Sequence, residues 1–135
     1  MMKLSVLFLS MAITFAAAQA HAVSIKDNMK QIKTLFKGIS TAVADSTKNA
    51  KSAADAAEIA KLFSAVQGEV PESISDLPAD EQPAAIEDYK AMIQQEIDFA
   101  TALQKAFDSG NNQLAAKLLQ QMDGVKKDGH KKYAD

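Results

Sequence analysis

Residues 25–43 read Ile25-Lys26-Asp27-Asn28-Met29-Lys30-Gln31-Ile32-Lys33-Thr34-Leu35-Phe36-Lys37-Gly38-Ile39-Ser40-Thr41-Ala42-Val43. Apolar side chains recur at Ile25, Met29, Ile32, Phe36, Ile39 and Val43, spaced 4, 3, 4, 3 and 4. That is the a/d pattern of a helix burying one seam against other helices. Ser24 stands just ahead as an N-cap, and Asp27 three residues on makes a near capping box. The pattern predicts a helix over about 24–44. Asp45-Ser46-Thr47 breaks it and can cap the next.

The rest of the chain repeats the theme. An Ala-rich second helix is expected over about 48–67, with Ala56, Ile59, Phe63 and Val66 inward and Gly68 ending it. The segment 68–83 differs in kind. It holds all three prolines and the acids Glu69, Glu72, Asp76, Asp80 and Glu81, with no Lys. It reads as an ordered or semi-ordered connection and not a domain boundary, with Ile74 and Leu77 as candidate anchors to the bundle. A third helix follows over about 84–108, with the stripe Ile86, Tyr89, Ile93, Ile97, Ala100, Leu103 and Phe107. Asp108-Ser109-Gly110-Asn111-Asn112 is a short turn, which makes its flanking helices antiparallel neighbours. The fourth helix, about 112–133, carries Leu114, Leu118, Met122, Val125 and Gly129 on one stripe, with Ala115, Leu119 and Tyr133 beside it. Gly124 and Gly129 each cost about 1 kcal/mol against Ala there. Four amphipathic helices without a strand signal predict an all-α, antiparallel up-down-up-down four-helix bundle.

Upstream lies a leader. Met1-Met2-Lys3 is a charged start, Leu4 to Ala18 is apolar, and Ala18-Gln19-Ala20 and Ala20-His21-Ala22 are small-residue cleavage signals. This order is that of a secretory signal peptide over residues 1–22. The apolar run is shorter than the roughly 20 residues a spanning helix needs, which disfavours an uncleaved anchor. Cleavage after Ala20 or Ala22 leaves about 113 residues, 23–135 in the second case, enough for one bundle. An exported location, no membrane contact after cleavage and a monomeric state are expected.

Composition excludes several classes. Among 135 residues there is no Cys, hence no disulfide, Cys-ligated zinc, iron–sulfur cluster or covalent haem. The 15 basic residues are all Lys, against 17 acids, a formal charge of −2. A weakly acidic, Arg-free chain makes a poor nucleic-acid binder. No phosphate loop or HExxH is present, and one histidine past the leader cannot supply a credible Ser/His/Asp set.

That histidine is His130; the mature methionines are Met29, Met92 and Met122. In an up-down-up-down bundle the first helix starts where the fourth ends. Met29 and His130 then lie about 7 Å or less from the same end, at 1.5 Å rise per residue. A thioether and an imidazole at one level can hold a metal, and Met/His axial ligation is one way of holding haem iron. Methionines on such stripes are more often core filler. A histidine near a helix C-terminus is more often exposed and favoured by the macrodipole. The surrounding Lys126, Lys127, Lys131 and Lys132 are ordinary C-terminal cations, or a docking patch for an acidic partner.

Ile25-Lys26-Asp27-Asn28-Met29 at one end of the mature chain and His130-Lys131-Lys132-Tyr133 at the other resemble the cytochrome b562 family. The likeness extends to the leader, the Pro-rich acidic segment and the turn at Asp108 to Gly110, so it covers essentially the whole mature chain. The resemblance implies a soluble periplasmic four-helix protein carrying electrons on one non-covalent haem b, to a redox partner protein not identified by the sequence. It places the axial ligands at Met29 and His130. Gly129 departs from it, standing where a larger residue is expected. Topology brings Phe63, Val66, Tyr89 and Ile93 to that end, with Ile32, Phe36, Met122 and Val125 behind. Without Arg, a propionate partner must be Lys, a backbone N–H or water, and Lys126 is nearest. The alternatives are a haem-free helical chaperone or adaptor of the same fold and, more remotely, a copper site at Met29, His130 and a carboxylate.

Overall fold

The computed structural model describes residues 24–133. The signal peptide expected at 1–22 lies outside the described residues. Five helices occur in the order α1 (Ile25–Ala42), α2 (Asn49–Gln67), α3 (Glu72–Ser75), α4 (Gln82–Asp108) and α5 (Asn112–Tyr133), and no strand is present among the described residues.

Local chemistry fixes the ends. The Ser24 hydroxyl accepts from the Asp27 N–H at 3.2 Å, as its capping position demands. Helix α1 stops at Ala42, two residues short of expectation. Asp45 then caps a separate 3-10 turn, Ser46–Lys48, by accepting from the Thr47 N–H at 3.0 Å. Pro83 sits in the first turn of α4, where a missing N–H is harmless, so α4 starts at Gln82 and not near 84. Asn111 accepts from the Leu114 N–H at 3.1 Å and starts α5, and Gly110 before it takes a φ of 72°, the left-handed value that favours glycine.

Side-chain bonds define the topology. At one end Asn112 of α5 donates to the Val43 carbonyl at 2.7 Å, and exchanges amide hydrogen bonds with Asn49 of α2 at 2.9 Å. At the other end the Tyr89 hydroxyl of α4 donates to the Val66 carbonyl at 2.8 Å, and Tyr133 of α5 donates to Asp88 of α4. The start of α5 thus meets the end of α1 and the start of α2. The start of α4 meets the ends of α2 and α5. This is the antiparallel up-down-up-down four-helix bundle, built from α1, α2, α4 and α5.

Its core holds Ile32 and Ile39 from α1, Ile59 and Phe63 from α2, Leu103 and Phe107 from α4, and Leu119 and Met122 from α5. Ala53 and Ala56 are buried in α2, where small side chains let α2 and α4 approach closely. In the connection 68–83, Pro71 and Ile74 are buried, so α3 plugs the bundle beside the end of α2. Two stripe assignments are corrected. Leu114 is 43% exposed because the chain is still entering α5 there. On α4 the buried position is Glu96, not Ile97, which is half-buried.

Candidate functional site

Consecutive bundle helices pack closely: α1 on α2, α2 on α4, α4 on α5. The α1 and α5 backbones make no comparable approach. They are fastened at the Asn112–Val43 bond, and further up the Lys126 ammonium lies over the Phe36 ring at 5.5 Å from its centroid. Beyond that level a cleft of about 800 Å³ opens between them, walled at the back by α2 and α4.

All six residues singled out from the sequence, Met29, His130, Phe63, Tyr89, Ile93 and Lys126, line this cleft. Met29 comes from α1, half-buried, and His130 from α5, exposed. The α1 helix is rotated so that Asn28, at 5% exposure, occupies the inward position, which leaves Met29 on the flank turned to the cleft. Phe63, Ile93, Val125 and Met92 add apolar wall. Val66, expected in this shell, does not line it. It is fully buried among the helices, and it is its carbonyl that meets the site indirectly, through the Tyr89 hydroxyl.

Two tyrosines line the cleft where α4 meets the end of α5. The Tyr89 and Tyr133 rings meet edge to face, with centroids 5.7 Å apart and planes at 82°. Burial, aided by the Glu69 charge, pushes the Tyr89 phenol up to about 12. The hydrogen bond from the Tyr133 hydroxyl holds the Asp88 carboxyl below its usual range, and the Lys132 ammonium 3.5 Å away adds to the effect. Ser73 of α3 donates to the Tyr133 carbonyl at 2.8 Å. The end of α5, which carries His130, is thereby tied to both α3 and α4.

Two residues gain meaning only here. Gly129 faces Met92: a Cβ at position 129 would lie 3.3 Å from the Met92 methyl. The volume a larger residue would take beside His130 is therefore supplied from α4, by the Met92 thioether.

The second is Glu96, which sequence reasoning missed. It lines the cleft at only 5% exposure, and its Oε1 has no hydrogen-bond partner. Burial pushes its carboxyl up to about 8, against the pull of Lys126 and with the repulsion of Asp123. At neutral pH it holds its proton, since a lone buried carboxylate is far more costly than a neutral acid.

The donor set fits a planar iron cofactor. It offers the thioethers of Met29 and Met92 and the imidazole of His130, from three different helices, with an apolar back wall and lysines along its lining. The volume is within the range of cofactor pockets, about 300–1,000 Å³. Among the described residues no three His, Asp or Glu side chains gather as a metal site.

A four-helix bundle parted at one end around such a cleft belongs to the class of bundles that hold a cofactor between facing helices. Within that class the chain is a member of the cytochrome b562 family, whose sequence model it matches over residues 24–134. Membership makes it a haem-binding, non-enzymatic cytochrome of electron-transfer type. No curated protein and no solved structure matches the chain.

Proposed function

We propose that the protein is a periplasmic electron carrier binding one non-covalent haem b, with Met29 and His130 as the axial ligands. The observation that carries this reading is the placement of the chain's one histidine among residues 24–133, and of Met29, in a single cleft between α1 and α5. When bound, haem iron supplies one-electron Fe(III)/Fe(II) chemistry.

The residues have separable tasks. Met29 and His130 would hold the iron through thioether and imidazole, a saturated ligand set suited to electron transfer and not to binding oxygen or substrate. Phe63, Ile93 and Val125 would shield the bound group from water. Tyr89 and Tyr133 wall the cleft where α4 meets the end of α5, and the bonds from Ser73 and to Asp88 hold the α5 end that bears the imidazole. Lys126, on the cleft wall, is the candidate propionate cation. Protein linkage supplies a further consequence: an occupant that binds only the folded chain stabilises it. The absence of cysteine is consistent with a cofactor held by side chains and pocket alone. Export would follow from the leader at 1–22, and among the described residues no helix is long and apolar enough to cross a membrane.

The test is visible spectroscopy of the exported protein. A sharp Soret band and split α/β bands on reduction are expected. Met29→Ala and His130→Ala should each abolish the low-spin spectrum. A colourless protein that takes up no added haem overturns the proposal and favours the haem-free helical adaptor.

A further inference from the structure

Charge on this molecule is segregated by helix. Helix α1 carries four lysines and one acid, and α5 carries five lysines and two acids. The segment 68–81 carries five acids and no lysine, and α4 carries four exposed acids besides the buried Glu96, against two lysines. A chain of net charge −2 therefore concentrates its positive charge on the two helices that flank the cleft.

The α1 lysines are placed with a helix period of their own. Lys26, Lys30, Lys33 and Lys37 are spaced 4, 3 and 4, so they form one exposed row. The core stripe of α1 is centred on Asn28, Ile32 and Ile39. At 100° per residue the lysine row lies beyond Met29 and Phe36, around the side of the helix next to the cleft. Three of the four lysines line the cleft itself, as does Lys126 from α5. Lys127 pairs with Asp123 and Lys132 with Asp88, but the α1 row, Lys126 and Lys131 form no ion pair among the described residues. Four like charges along one helix repel one another and give α1 no stability. Nothing within the fold requires them.

We propose that this face, the lysine row of α1 with Lys126 and Lys131 of α5, docks an acidic protein partner over the mouth of the cleft. The proposal rests on the reading of the cleft as the redox site and names the chemistry of the partner that reaches it. A positive rim around the point of electron exit steers an acidic partner into productive orientation. The excess of acids on the connection and α4 disfavours docking on that side. An anionic membrane offers the same charge, but the row has no large apolar side chain to insert. Among the described residues the exposed large hydrophobics are Val70 and Leu114, neither on α1 nor lining the cleft.

The test uses the purified holoprotein and an oxidised plant-type [2Fe–2S] ferredoxin as an acidic probe. Binding is measured by titration at about 20 and about 300 mM salt, across which exposed charges become screened. Binding should weaken by roughly tenfold or more with salt, and Lys30→Glu/Lys37→Glu should weaken it by a similar factor at low salt. Lys61→Glu/Lys105→Glu, an equal charge change away from the cleft, should alter it less than about twofold. Equal losses in the two double variants overturn the proposal. So does binding to phosphatidylglycerol vesicles that needs Lys30 and Lys37 when ferredoxin binding does not. The visible spectrum, recorded first, reports on the haem reading separately, because docking is read from the titration and not from electron transfer.

Discussion

Replacing Glu96 by Gln keeps the shape of the side chain and removes its titration. In the folded protein the carboxyl ionises near 8, and its ordinary value is 4.5. The folded state therefore binds the Glu96 proton more tightly than the unfolded state does. Its contribution to stability is fully present below about pH 4.5 and is lost as pH rises through about 8. Between those limits the loss is about 1.4 kcal/mol per pH unit. At pH 5 the wild type and Glu96→Gln should differ by less than about 1 kcal/mol; at pH 7 the variant should be the more stable by about 3 kcal/mol. Lys126 and Asp123 of α5 are the charges acting on it, and Lys30 and Lys33 of α1 line the same cleft. All four are present in both proteins, so the difference isolates position 96. The assay is urea unfolding of the haem-free protein at pH 5, 6, 7 and 8. A stability difference that stays constant across the series, or that shrinks with pH, refutes the assignment of a protonated buried carboxyl.

Other substitutions probe the frame. Gly124→Ala meets open space on a helix, and should raise stability by about 1 kcal/mol and the melting temperature by about 5 °C, read by circular dichroism. Gly129→Ala should gain less, because the Met92 methyl must shift from 3.3 Å. Asn112→Ala strands the Val43 carbonyl and the Asn49 amide, and should cost about 1–3 kcal/mol in denaturant unfolding. A double-mutant cycle with Asn49→Ala should return a coupling of about 1 kcal/mol. Tyr89→Phe should cost about 1 kcal/mol by removing the bond to the Val66 carbonyl.

The bundle was legible because four apolar periodicities admit few other packings. The a/d row of residues 25–43 and the breakers at 45–47, 68 and 108–111 place each helix to within a few residues. The error on α4 is instructive. Positions 89, 93, 96, 100, 103 and 107 repeat the spacing of α1. Glu96 breaks that row chemically but not geometrically, and a rule that admits only apolar residues to a core slides to Ile97. Taking the period first and the residue type second would have found the buried acid. The reciprocal amides of Asn49 and Asn112 lie 63 residues apart and leave no periodic mark, so only the fold reveals them. The levels of Met29 and His130 followed from helix rise and topology. The parting of α1 from α5 did not, since no pattern along either helix encodes the width of a gap.

Helices α1 and α5 are fastened at Asn112 and parted at Met29 and His130. Mechanically the pair is a pincer, with its hinge in the amide knot and its jaws at the far end. Its two jaws are held unequally: the α5 jaw is tied to α3 and α4 through Tyr133, and the α1 jaw rests on its packing against α2. An occupant of the jaws would meet elements whose other ends are already fixed, so closing on it would ask for movement at one end of α1 and not for a whole bundle to form.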